Sequence, residues 1–198
     1  MNAFETFLLD IGFSWTWSRL FPYLFFPLLG LLIWAAFRKR MKRRWVRFTL
    51  LVLLIALPFA LYFILRPIYE GDFANQSEKV AMSPEFKSIG ENRLVVITIP
   101  GCPFCLESIE RMKVFQAYNP NVKIEYRVCS SRPSDITAYR KAAGNAFPVL
   151  PAEDIHQLAE VAGEAFPAFV LTDGVTAKKW SNDHFGVSAL DEVNARFH

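Results

Sequence analysis

The sequence predicts an α/β domain, a mixed central sheet with flanking helices, preceded by a transmembrane helical hairpin. Three observations lead there. Two 18-residue runs near the N-terminus carry no charge and are separated by a basic loop. The C-terminal part alternates strand-like with helix-like runs. A Cys-x-x-Cys pair stands where one predicted strand gives way to a helix. The 198 residues are 53% hydrophobic and include three cysteines, which excludes both a disordered chain and a disulfide-dense mini-protein.

Residues 1–19 form an aromatic N-terminal segment. Its Phe7, Leu8, Ile11, Trp15 and Trp17 suit the membrane interface or a docking contact with a partner membrane protein. Residues 20–66 form the hairpin. Leu20–Phe37 and Phe48–Leu65 lack a polar stripe, and at about 1.5 Å per residue each spans roughly 27 Å, near the ~30 Å hydrocarbon core. Pro22, Pro27 and Pro58 lie inside these runs and are tolerated in membrane helices. The acidic N-terminal flank and the missing small-residue cleavage site argue against a signal peptide.

The loop 38–47 carries Arg38, Lys39, Arg40, Lys42, Arg43, Arg44 and Arg47. Such a cluster reads as cytoplasmic. Both termini then lie on the extracytoplasmic side, which is periplasmic for a multi-pass inner-membrane protein of a Gram-negative cell. From residue 66 onward 14 basic face 17 acidic side chains, so the overall charge of +3 comes from the loop. No basic surface runs through the C-terminal part, and no nucleic-acid partner is expected.

Residues 67–91 turn polar without periodicity and read as a linker. The domain proper is placed at 92–198. Leu94–Ile99 is a β-branched run, as in a buried parallel strand. Pro103–Tyr118 is helical, with Phe104, Leu106, Ile109, Met112, Phe115 and Tyr118 near one face, and Asn119-Pro120 ends it. Val122–Cys129 alternates apolar with polar residues as a second strand. Ser134–Ala143 and Glu153–Ala162 are helices. Ala168–Thr172 and Val175–Trp180 are strands joined at Asp173-Gly174. Val187–Phe197 is a closing helix with Ser188 as its cap. The order β-α-β-α-α-β-β-α makes a sheet covered by short helices.

The chemistry centres on Cys102-Pro103-Phe104-Cys105. A cysteine opening a helix meets unpaired amide N–H groups and the positive end of the dipole, which stabilise its thiolate. Pro103 suits the first helical turn, because its missing N–H would be unpaired there. Cys105, one turn on, can attack a mixed disulfide on Cys102 or close an intramolecular disulfide. Cys102 is thus the candidate nucleophile and Cys105 the resolving thiol. Cys129, ending a strand, reads as a small buried hydrophobe, with a third redox thiol as the alternative. His156, His184 and His198 read as surface or core-edge residues. A metal site would need Cys102, Cys105 and His184 to converge, so no cofactor or metal is expected.

The strand, the Gly-Cys-Pro-Phe-Cys corner, the helix and the later Phe166-Pro-Ala-Phe-Val-Leu-Thr-Asp-Gly174 run resemble the thioredoxin-like superfamily over roughly residues 92–198. The Pro-Phe dipeptide is similar to the Pro-Tyr or Pro-His of glutaredoxins and periplasmic disulfide oxidoreductases, not to the Gly-Pro of thioredoxins. The resemblance implies a cis-proline facing the cysteines, matched best by Pro167. Phe166, with Pro103 and Phe104, would then shape substrate contact. Pro148, in the similar run Gly144–Pro148, reads as part of a loop entering a helix. The family's buried carboxylate six residues before the first cysteine is replaced here by Val96, which leaves Glu107 or water for acid–base assistance.

These readings point to a membrane-anchored thiol–disulfide oxidoreductase. Its partners would be a protein substrate with a cysteine pair and a separate redox protein, because neither span holds a cysteine. An accessory subunit of a membrane complex is the alternative from another class, and a copper metallochaperone the third.

Overall fold

The computed structural model describes residues 3–41, 43–82, 84–87 and 91–197. Lys42 of the basic loop and His198 lie outside these residues. The chain divides into two compact units, Met1–Glu70 and Gly71–His198.

The first unit is helical. Helix α1 spans Ala3–Asp10, α2 Trp15–Phe37 and α3 Arg44–Leu65. Helices α2 and α3 are each long and apolar enough to cross a membrane, with mean hydropathy 2.0 and 2.7 over their most apolar stretches. Both begin earlier than the hydropathy runs. The Ser14 hydroxyl accepts the Trp17 N–H and starts α2 inside the segment read as interfacial. Arg44 and Arg47 lie in the first turn of α3; Arg44 is exposed, and Arg47 Nε–H donates to the Met41 carbonyl at 2.5 Å.

Gly30 brings α2 and α3 together: a Cβ there would stand 2.1 Å from the Leu54 carbonyl oxygen. Trp34 Nε1–H donates to the Arg47 carbonyl at 3.0 Å near one end of the pair. The Tyr23 hydroxyl donates to the Arg66 carbonyl near the other. Helix α1 is tied to α2 by the Glu5–Arg19 ion pair at 2.8 Å and by Phe4 against Phe21.

The second unit is built on six strands: β1 Glu78–Val80, β2 Arg93–Thr98, β3 Ile124–Val128, β4 Val149–Pro151, β5 Ala168–Thr172 and β6 Ala177–Trp180. Their order is β1-β6-β5-β2-β3-β4. Strands β2, β3 and β4 are parallel, while β5, β6 and β1 continue the sheet antiparallel. Helices α4 Pro84–Lys87, α5 Pro103–Tyr118, α6 Pro133–Ala143, α7 Ile155–Ala162 and α8 Val187–Ala195 complete the unit.

Alternation along the strands divides the core. Val95, Ile97, Ala168 and Val170 point to one face and pack with Phe86, Cys129, Leu158 and Ala162. On the other face Val96 lies in register with Tyr126 and Phe169. There the Phe169 and Phe185 rings stack at 3.9 Å.

Three expectations are corrected. The segment 67–91 is not simply a linker, since the second unit starts at Gly71. Strand β1 pairs with β6, and Phe86 is fully buried. Asn75 accepts the Trp180 indole N–H at 2.8 Å and donates to Glu192 at 2.9 Å. These contacts reach partners about a hundred residues away and leave no local period to read. Val149–Pro151 is a strand rather than a loop, and its proline is acceptable at a sheet edge. The closing helix is capped by Gly186, not Ser188. A Cβ at Gly186 would stand 2.3 Å from the Gly71 carbonyl oxygen.

Strand β3 also differs in detail. Glu125 and Arg127, its polar alternate residues, are buried rather than solvated. They bond to each other, Glu125 also meets Arg93, and Arg127 meets Glu85 at 3.0 Å. Ion pairing supplies what water would otherwise give.

Candidate redox site

Strand β2 ends at Thr98, and α5 begins at Pro103. The connecting residues include Gly101 at φ +73°, a left-handed backbone that costs glycine nothing. Cys102 is the N-cap of α5, with Pro103 in the first turn. Its Sγ accepts the Cys105 backbone N–H at 3.1 Å. Cys102 and Cys105 are joined in a disulfide with Cα atoms 5.3 Å apart. Cys102 keeps 8% exposure and Cys105 none, so an incoming group reaches the Cys102 sulfur first.

The Phe166–Pro167 peptide is cis. It precedes β5, and the Phe166 carbonyl oxygen lies 3.9 Å from Cys102 Sγ. Pro167 is buried and Phe166 half-buried. Phe104 does not join the helix's inner face: it is 58% exposed, and Leu106 also faces outward. The structure thus brings Cys102, Cys105, Pro103 and Phe166 together and leaves Phe104 on the surface next to the disulfide.

A mixed sheet with this strand order, a Cys-x-x-Cys corner between β2 and α5, and a cis-proline beside the first cysteine define the architecture. The fold is thioredoxin-like. No protein-family model and no curated protein matches the chain. Among solved structures it is similar to MTB DsbF, with 13% identity over 55% of this chain and 82% of that one and a TM-score of 0.45. It is similar to a secreted Mycobacterium tuberculosis disulfide oxidoreductase homologous to E. coli DsbE, at 20% identity, 55% and 81% coverage and a TM-score of 0.40. StoA from Bacillus subtilis gives 17% identity, 52% and 82% coverage and a TM-score of 0.42.

Next to Cys105 lies a buried polar group that no motif in the sequence marks. The Ser108 hydroxyl donates to the Cys105 carbonyl at 2.7 Å and lies 2.9 Å from the Tyr126 hydroxyl. Ser108 has one proton, so Tyr126 is the donor between the two. Burial raises the Tyr126 hydroxyl well above the ordinary phenol range. Arg111, one turn further along α5, lies over the Phe169 and Phe185 rings at 5.0 and 5.4 Å and donates to the Phe185 carbonyl at 3.1 Å. Burial lowers its basicity. Helical spacing from Cys105 could have singled out Ser108, whereas the register that sets Tyr126 beside Val96 joins two strands and has no local signal. Glu107 is exposed on α5, outside this buried group.

One further contact bears on the loop before Cys102. The Tyr139 hydroxyl, from α6, donates to the Ile99 carbonyl at 2.7 Å. Its partner is backbone, so no side-chain pattern announces it. Cys129 is free and buried, its thiol pushed up to about 11 by burial first and by the Glu85 charge second. His156 is exposed on α7, and His184 is half-buried in the short 3₁₀ turn Asn182–His184.

Proposed function

We propose that this chain is a membrane-anchored thiol–disulfide oxidoreductase that exchanges its Cys102–Cys105 pair with cysteine pairs of exported or membrane proteins. One observation carries the reading: the more accessible sulfur of the disulfide caps α5 and accepts the Cys105 amide hydrogen at 3.1 Å. The same amide that touches the sulfur in the disulfide can stabilise its anion after reduction.

In the reduced protein the Cys102 thiolate attacks one sulfur of a substrate disulfide. The substrate S–S bond breaks, a Cys102–substrate disulfide forms, and the leaving substrate thiolate takes a proton from water. Cys105 then loses its proton to solvent and attacks Cys102 Sγ. The domain disulfide forms and the second substrate thiolate leaves. Two electrons have passed to the substrate, and run backwards the same steps oxidise a dithiol. Phe104, Pro103 and Phe166 offer the apolar contact surface beside the sulfurs, and the Phe166 carbonyl offers a backbone acceptor. Catalytic roles fall to Cys102 and Cys105, with Pro167 shaping the wall they face.

Helices α2 and α3 anchor the domain, with the basic loop cytoplasmic and the domain on the extracytoplasmic side of the inner membrane. Anchoring raises the effective concentration for membrane-bound substrates. Electrons travel through a separate redox protein. The test is disulfide exchange with insulin or glutathione disulfide by full-length protein in nanodiscs. Cys102→Ser should abolish it, and unchanged exchange would remove Cys102 from the mechanism.

A further inference from the structure

We propose that Tyr139 is a positioning residue for this chemistry: its hydroxyl holds the Ile99–Gly101 segment and thereby keeps the Cys102 sulfur against the first turn of α5. The proposal rests on the oxidoreductase reading above. The Ile99 side chain packs against the core cluster, but the two residues after it have little to hold them. Pro100 has no N–H, and both Pro100 and Gly101 are exposed. A Cβ built at Gly101 would meet nothing within 4 Å, so packing does not fix the backbone there. Outside the sheet and helix ladders, the bond described for Ile99, Pro100 and Gly101 among the described residues is the one from Tyr139, at 2.7 Å.

Tyr139 is well placed to act as a fixed point. It is 2% exposed, so its ring is locked in the core, and the hydroxyl is set by the ring. Helix α6 is itself fastened to the sheet, because Arg140 Nε–H donates to the Val149 carbonyl at 3.0 Å. Burial raises the Tyr139 hydroxyl above the ordinary phenol value, outweighing the Thr98 side-chain hydrogen bond that lowers it, so it stays protonated and a donor at neutral pH. The strand end is pinned separately by the Cys129 N–H donating to the Thr98 carbonyl at 2.8 Å. Tyr139 extends that fixation one residue further, toward the sulfur.

The consequence is chemical. A thiolate at a helix start is stabilised only while its sulfur stays within reach of the amides, and such charge-assisted bonds are short and directional. Without the Tyr139 hydroxyl the Ile99 carbonyl loses its partner, the segment relaxes, and the sulfur samples positions away from the Cys105 N–H. Cys102 then behaves more like a cysteine in water.

The experiment uses reduced full-length protein in nanodiscs, in a Cys105→Ala, Cys129→Ala background that leaves Cys102 as the single thiol. Its alkylation rate by iodoacetamide is followed against pH. Tyr139→Phe, which removes one oxygen and keeps the ring, should raise the midpoint. The rate near pH 6 then falls about 3- to 10-fold while the rate at high pH stays the same, a shift of up to one pKa unit. An unmoved midpoint, with or without a lower thermal midpoint, overturns the proposal. If Tyr139→Phe does not fold, Pro100→Gly carries the test: it loosens the same exposed segment and should raise the same midpoint, and no shift overturns the idea. A parent protein that titrates like free cysteine defeats the oxidoreductase reading itself. A depressed parent midpoint that ignores both substitutions defeats the Tyr139 role alone.

Discussion

Phe86→Ala separates a folded N-terminal arm of the second unit from a linker. Phe86 is fully buried among Val95, Ile97, Leu158 and Ala162. Truncating a buried phenylalanine to alanine costs about 3–5 kcal/mol, whereas a change in a solvated linker stays within about 0.5 kcal/mol. Cys129 reports the difference without interference from the two long apolar helices. It sits in the same cluster, and with Cys102–Cys105 closed it is the remaining thiol. Cys129 keeps 9% exposure, so maleimide labelling is followed at rising urea below the unfolding transition, where the rate comes from opening of the domain. At about 1.4 kcal/mol per decade, Phe86→Ala should speed labelling roughly 140- to 4,000-fold. A change under about threefold would mean that the arm contributes nothing to the core and that its docking has been misread.

Two other outcomes follow from particular contacts. Glu85 is buried beside Arg127, and burial outweighs that cation in raising its pKa above the ordinary 4.5. A carboxyl whose folded pKa is raised contributes stability that is present below its unfolded pKa and is lost as pH rises through the folded value. Subtracting Glu85→Gln from the parent in urea titrations at several pH values should isolate that loss above pH 4.5, and a difference independent of pH would refute it. In the hairpin, Gly30→Leu cannot be accommodated against the Leu54 carbonyl without parting the helices. Heating in mild detergent should show a lower helical melting temperature by circular dichroism, and an unchanged one would place the crossing elsewhere.

How far the sequence could be read depended on the range of the interactions. Hydropathy over 18 residues and a charge cluster are local sums, so both apolar helices were visible, although the cap at Ser14 and the cationic first turn of α3 lengthened them. Cys102 was legible for the same reason: a strand, a glycine, a cysteine and a proline in immediate succession describe a strand-to-helix corner. The arm from Gly71 was not legible. Its fixed points, Asn75 on Trp180 and Phe86 under β2, are single long-range contacts. The edge strand β4 is three residues long, too short for a period to show. Phe104 looked like a core residue by helical spacing, yet the first turn beside the disulfide leaves it on the surface. Glu125 and Arg127 alternate as solvated residues do, but ion pairs with Arg93 and Glu85 let the sheet bury both faces.

The central claim is that Cys102 captures a partner's sulfur and Cys105 releases it. Trapping tests this most directly. Full-length protein carrying Cys105→Ala, in nanodiscs and mixed with an oxidised model peptide bearing one disulfide, should accumulate a covalent adduct that dithiothreitol dissolves and that mass spectrometry locates on Cys102. The reciprocal Cys102→Ala protein should form little adduct, because Cys105 is fully buried. Equal trapping by both variants, or none by either, would contradict the account.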